Sequence, residues 1–278
     1  MDLPPEALRL LASATRHTTP CGDGEVVWHS WGDPRTEALV LLHGGSGSWM
    51  HWIRNVEDLA TAGRWVMVPD LPGFGDSAVP PGSKDADGVV DPIAEGIVAL
   101  TGSAPVDLVG FSFGGLSAGL LAAARPERVK HLVLVGAPGL GIRDKRLPLT
   151  AWRHLDDTEA QMRAHRRNLA TLMIHREGAI DDLAVAVQAA NVPRDRMQRR
   201  RLAMTDALSV ALRAIRCPVD AIYGDHDALY VDKLAELEAK LREGPTFREL
   251  VFVPGAGHWV QYEAPAAFDR ELLRLLAA

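Results

Sequence analysis

The sequence predicts an α/β protein with an eight-stranded, mostly parallel sheet, helices on both faces and a helical lid inserted after the sixth strand. Continuous apolar runs, helix-forming segments between them, and one long stretch where that alternation stops all point there. Residues 16–20 and 25–31 flank Gly22-Asp23-Gly24, and an Asp-Gly turn between two short runs reads as a β-hairpin. The runs at 40–42, 65–68, 106–109, 131–135, 219–223 and 250–253 are apolar but for Asp107, His131 and Asp220, as expected of parallel strands covered on both faces. Residues 116–124 and 233–241 have helix-favouring compositions. From 139 to 216 strand-type runs are absent, and apolar residues at 169–174, 183–187 and 199–212 fall at mixed helical spacings. The expected organisation is therefore a core of residues 1–138 and 213–278 and a lid of residues 139–212. The lid would leave the sheet at its C-terminal edge, where ligands of open α/β sheets bind, and would wall off a pocket from water.

Chemistry-bearing residues gather at the ends of these strands. Residues 108–115 read Leu-Val-Gly-Phe-Ser-Phe-Gly-Gly, placing Ser112 in a GxSxG motif between a strand and a helix. Gly110 and Gly114 allow the close packing that such a sharp turn needs, and the hydroxyl is lifted clear of the sheet. In isolation the same residues would also fit a glycine-rich turn with an incidental serine. The run at 38–42 ends in His43-Gly44-Gly45-Ser46-Gly47, where neither GxxxxGK[ST] nor GxGxxG can be written, so a phosphate cradle is disfavoured. The N–H groups of Gly45 and of Phe113, which follows Ser112, could instead hold a negative oxygen formed when a carbonyl is attacked.

Two later strands end in Gly224-Asp225-His226-Asp227 and Pro254-Gly255-Ala256-Gly257-His258. A serine hydroxyl needs a base near neutrality, and that imidazole needs a carboxylate to fix its tautomer. Ser112, Asp227 and His258 supply these roles in the order serine, acid, histidine. The chain has ten histidines, but only His258 combines a glycine-rich approach with that order. Asp225 is expected to be a turn residue. Gly44, Phe111, Trp49 and Trp259 are the candidate substrate contacts, with Trp52, Trp152, Met162 and Met173 as further pocket candidates.

With the elbow, the His-Gly-Gly loop, the Gly-x-x-Asp turn, the Gly-x-Gly-His turn and Asp70-Leu71-Pro72-Gly73-Phe74-Gly75-Asp76-Ser77 in this order, the chain resembles the α/β-hydrolase superfamily over nearly its whole length. Within it, His43-Gly44-Gly45 and His258-Trp259-Val260-Gln261-Tyr262-Glu263 are similar to the hydrolases of meta-cleavage products, which break carbon–carbon bonds in ring-opened aromatic metabolites. That subfamily usually has asparagine before and methionine after the nucleophile, where this chain has Phe111 and Phe113. It also carries a lid arginine for the substrate carboxylate. Arg194 and the run Arg199-Arg200-Arg201 are the possibilities here. The resemblance implies a nucleophilic serine and disfavours the aspartate-nucleophile dehalogenases and epoxide hydrolases.

The expected reaction is acyl transfer to water through Ser112, His258 and Asp227, acting on an ester or related bond of a small, largely apolar substrate. The alternatives are carbon–carbon hydrolysis of ring-opened dienoates, a cofactor-free perhydrolase or haloperoxidase, and a ligand receptor without turnover. No HExxH, paired CxxC or dinucleotide fingerprint is present, so neither a metal nor an organic cofactor is expected. A formal charge of −6 and scattered aromatics disfavour nucleic acid as a partner. No apolar stretch of ~20 residues could span a bilayer. A start without a basic n-region, and Cys21 and Cys217 read as small buried thiols, fit a cytoplasmic protein that could form a homo-oligomer.

Overall fold

The computed structural model describes residues 3–82, 84–142, 147–197 and 200–278. Its strands are β1 (Thr15–Cys21), β2 (Gly24–Trp31), β3 (Ala38–Leu42), β4 (Trp65–Pro69), β5 (Val106–Phe111), β6 (Val129–Val135), β7 (Val219–Gly224) and β8 (Phe247–Val253). They form one eight-stranded sheet in the order β1-β2-β4-β3-β5-β6-β7-β8. The β1–β2 and β2–β4 pairs are antiparallel and the others parallel. The strands are those the apolar runs predict, each within a few residues.

The helices are α1 (Pro5–Ser13), α2 (Val56–Thr61), α3 (Asp87–Thr101), α4 (Phe113–Ala124), α5 (Thr158–Asn168), α6 (Asp182–Asn191), α7 (Ala207–Leu212), α8 (Leu234–Leu241), α9 (Val260–Glu263) and α10 (Pro265–Ala277). Alternate strand residues face opposite cores, because side chains switch faces at each step along a strand. Val40, Leu42, Leu108, Leu132 and Leu134 pack in one core with α3, α4 and α8. Leu39, Leu41, Val109, Phe111, Val133 and Val135 pack in the other with α1, α2 and α10. Helix α1 has no counterpart in the sequence reading, although Pro5 at its start and Glu6 in its first turn are ordinary N-terminal signals.

Between β6 and β7 the described residues contain helices and turns and no strand. Residues 169–174 contribute a single π turn, Leu169–Met173, continuing α5. Helix α7 falls inside the stretch expected as lid, yet Leu208 and Leu212 join the core and a side chain on Gly119 of α4 would meet Leu208. It therefore flanks the sheet.

In this order β3 lies between β4 and β5. The chain builds outward from β3 first to one side and then to the other, so the loops leaving β3 and β5 diverge and open a crevice at the C-terminal edge. The segments after β6, β7 and β8 leave the same edge, since these strands are parallel.

Candidate active site

Ser112 joins β5 to α4 with φ +50°, a left-handed conformation that non-glycine residues seldom adopt. The turn is held by its own N–H, which donates to Val135 O at 2.7 Å, and by close backbone packing: a side chain on Gly114 would lie 2.5 Å from His43 O. Those constraints fix the hydroxyl at the helix N-terminus. Ser112 Oγ lies 2.9 Å from His258 Nε2, and His258 Nδ1 lies 2.8 Å from Asp227 Oδ2. Asp227 Oδ1 accepts from Leu229 N at 2.9 Å. Asp227 is fully buried and His258 nearly so. Gly136, at φ +55°, leaves room for the pair, since a Cβ there would lie 3.0 Å from His258 Nδ1 and 3.2 Å from Asp227 Oδ2. The structure thus joins the three residues in one hydrogen-bonded chain. In such a chain the serine proton can pass to Nε2 while the carboxylate holds Nδ1–H and stabilises the cation that forms. Asp225 instead accepts from Gly255 N at 2.7 Å and shapes the turn.

The loop after β3 is organised by two histidines. His43 Nδ1 donates to Gly44 O at 2.8 Å and Nε2 accepts from Leu71 N at 2.8 Å. Complete burial lowers its pKa to about 4, so it is a neutral structural link at neutral pH. His51 Nδ1 accepts from Gly44 N at 3.1 Å, and burial holds this ring far below the ordinary imidazole range. The Gly44 N–H is therefore engaged. Phe113 is the first residue of α4, where helical N–H groups lack an intrahelical acceptor. Asp70, from the Asp70–Ser77 motif, braces the same region by accepting from Trp49 N at 2.9 Å and Asp76 N at 2.8 Å. His51 was not distinguishable in the sequence; its role depends on contacts across the fold.

A cavity of about 240 Å³ opens over Ser112. Gly44, Gly45, Phe111, Phe113 and His258 line it from the sheet side; Leu149, Leu172, Met173, Gln188 and Arg200 line it from the segment between β6 and β7. Gly44 and Phe111 thus take the places the sequence suggests. Trp49 and Trp259 do not. Trp49 packs on His29 and Trp31, with ring centroids 5.6 and 5.5 Å away. Trp259 stacks on Tyr262 at 4.1 Å and its indole N–H donates to His51 O at 2.9 Å, so it supports the loop from behind. Of the further candidates only Met173 lines the cavity.

One of the candidate lid arginines reaches the cavity. Arg200 enters the cavity so closely above the β3 loop that a Cβ on Gly45 would collide with its Nη1. Arg200 Nη2 donates to Ser46 Oγ at 3.2 Å and pairs with Asp195 at 3.0 Å. Arg194 is turned to Asp76, Arg201 is exposed, and Arg199 lies outside the described residues.

The sequence pattern of the alpha/beta hydrolase family matches residues 39–271, most of the chain. This protein belongs to the α/β-hydrolase family. A 2-hydroxy-6-oxo-6-phenylhexa-2,4-dienoate hydrolase of Burkholderia cepacia is 27% identical over 256 residues, covering 87% of this chain and 88% of the relative. A 2-hydroxy-6-oxononadienedioate/2-hydroxy-6-oxononatrienedioate hydrolase of Escherichia coli K12 is 28% identical over 282 residues, covering 94% and 90%. Among solved structures, an esterase of Rhodococcus sp. ECU1013 superimposes with a TM-score of 0.74 at 23% identity, covering 96% of this chain and 99% of that one. Family membership makes the chain a hydrolase-fold enzyme similar to meta-cleavage product hydrolases and, in fold, to esterases. Both cysteines are free and buried. Among the described residues no helix is long and apolar enough to cross a membrane, and no cluster of metal-ligating side chains occurs.

Proposed function

We propose that this hydrolase uses Ser112, His258 and Asp227 as a catalytic triad on a carbonyl substrate that also carries an anionic group, with a ring-opened dienoate as the favoured class. The observation that carries this reading is Arg200, a charged side chain at the wall of an otherwise largely apolar cavity. Its Nη2 is engaged by Ser46 and Asp195, while Nη1 is directed at Gly45. A guanidinium so placed selects a carboxylate or enolate oxygen. The names of the relatives point to the same substrate class.

His258 takes the proton of Ser112 as Oγ attacks the carbonyl carbon, and the N–H groups of Gly45 and Phe113 receive the oxygen that becomes negative. Collapse breaks the bond to the leaving group. For an ester the departing oxygen takes the proton from His258. For a carbon leaving group the electron pair must be delocalised into a conjugated carbonyl before protonation, and Arg200 would stabilise the charge where it accumulates. Water then hydrolyses the acyl-enzyme, with His258 again as base. The segment between β6 and β7 serves as the lid, since Leu149, Leu172 and Met173 supply the wall that excludes water.

The test compares kcat/KM for 2-hydroxy-6-oxohexa-2,4-dienoate and for p-nitrophenyl butyrate. A preference for the dienoate of ~100-fold, about 2.7 kcal/mol of transition-state discrimination, is expected. Preference for the neutral ester would return the protein to a small-ester hydrolase.

A further inference from the structure

Arg200 is held in place by a separate apparatus that the hydrolytic machinery does not use. Residues 194–197 are clamped to the loop after β4. Arg196 N donates to Gly73 O at 2.9 Å, and the Arg196 guanidinium donates to the carbonyls of Phe74, Gly75 and Ser77. Arg194 pairs with Asp76 on the outside, and Met197 packs against Gly73. Asp195, between these anchors, is turned inward and only 10% of its side chain is exposed. Its Oδ1 accepts from Met197 N at 3.0 Å; its Oδ2 accepts from Ser46 Oγ at 2.6 Å and lies 3.0 Å from Arg200 Nη2. Ser46 sits in the β3 loop beside Gly45 with φ +53°, a conformation for which glycine would be the relaxed choice. Its hydroxyl accepts from Arg200 and donates to Asp195, which glycine could not do.

We infer that Asp195 and Ser46 are positioning residues that fix the Arg200 guanidinium over Gly45, leaving Nη1 to the anionic part of the substrate. This rests on the reading that the pocket takes an anionic substrate. An unanchored arginine would have to surrender side-chain freedom in each binding event. Here the carboxylate and hydroxyl hold it beforehand, and the clamp joins that carboxylate to the same core loop that braces the site. The arrangement ties three segments, the β3 loop, the β4 loop and the approach to α7, into one charge-positioning unit. Asp195 also supplies a counter-charge to a cation inside a confined cavity, where an unpaired charge would be costly. Its removal thus frees Arg200 to move without removing any group that touches the substrate.

The experiment measures kcat and KM on the dienoate and on p-nitrophenyl butyrate for wild type, Asp195→Asn, Arg200→Met and the double variant. Asp195→Asn is expected to lower kcat on the dienoate ~10-fold, with a smaller change in KM and a smaller loss on the ester. Asp195→Glu should recover part of the loss, and in the Arg200→Met background Asp195→Asn should add no further dienoate-specific loss. Equal losses on both substrates, or a full Asp195→Asn effect without Arg200, would overturn the inference. If Arg200→Met itself affects both substrates alike, the anionic-substrate reading fails. The positioning claim is then decided by the structure of Asp195→Asn, where a displaced guanidinium supports it and an unmoved one refutes it. Should Asp195→Asn not fold, Ser46→Ala tests the same unit with the same readouts.

Discussion

The proposed mechanism gives Ser112, His258 and Asp227 distinct duties, and substitutions can separate them. In the proposed mechanism Ser112 is the attacking group, so Ser112→Ala should keep the fold and lower hydrolysis by ~10⁶, measured as single-turnover rate with circular dichroism as the control. Substantial residual turnover would mean another nucleophile. Asp227 and Asp225 differ by two positions, yet only Asp227 reaches His258 Nδ1. Asp227→Asn should cost ~10⁴ in kcat, because an amide can present its NH₂ to Nδ1 and favour the wrong tautomer. Asp225→Asn should cost far less, and the reverse order would reassign the acid. These residues were legible in the sequence because each follows a strand in a short glycine-rich turn, which fixes its place locally. Arg200 was legible only as one of several arginines. What selects it is the docking of residues 194–197 on the β4 loop, a set of long-range hydrogen bonds that leaves no periodic trace. The tryptophans were misleading for a related reason: a large apolar ring is as useful behind a loop as in front of it, and Trp259 is behind.

Among the elements, the turn that carries His258 is tied to the segment between β6 and β7. Glu263 ends α9 with its carboxylate fully buried, accepting from Gly257 N at 2.8 Å, His175 N at 3.0 Å and Arg176 N at 2.7 Å, and from Arg176 Nε at 3.1 Å. Trp259 N adds a bond to Met173 O at 2.6 Å. Since Met173 lines the cavity, the His258 turn is hydrogen-bonded directly to a wall of the pocket. Glu263→Ala takes the acceptor from three backbone donors, of which Gly257 N is buried, with an expected loss of about 3 kcal/mol in urea unfolding. Its kcat should fall as well, because the His258 turn loses its anchor. Glu263→Gln keeps the shape but turns an amide NH₂ toward donors, so it should fall between the two. A Gln variant as stable as wild type would show that the negative charge contributes nothing. Glu263 was quoted in the sequence only as part of a resemblance, because nothing local marks which backbone N–H groups a glutamate will meet.

At the scale of the whole molecule the sheet was the most legible feature, since every strand except the hairpin pair is mostly apolar and burial on both faces leaves little other use for such a run. Helices on its flanks were less so: α1 and α10 alternate apolar and charged residues near the ends of the chain, and only packing on the second core shows what they cover. That packing has a consequence for the stability of the whole fold. Asp269 on α10 is buried beside α2, where Asn55 Nδ2 donates to its Oδ1 at 2.9 Å while its Oδ2 has no partner among the described residues. Burial raises its pKa to about 7, against the lowering effect of the Asn55 bond. The unfolded carboxyl has the ordinary value of 3.8, so between pH 4 and 7 the unfolded chain gives up this proton while the folded protein keeps it. Unfolding is therefore favoured as pH rises: the group costs nothing below about pH 4 and its full penalty, on the order of a few kcal/mol, is present above about pH 7. Asp269→Asn removes the titration and retains a side chain able to bond Asn55. Its melting temperature should exceed that of wild type at pH 8, and the gap should shrink steadily toward pH 5. A gap that is the same at both pH values, or that widens in acid, would mean that Asp269 is ionised in the folded protein and stabilised by contacts other than those of Asn55.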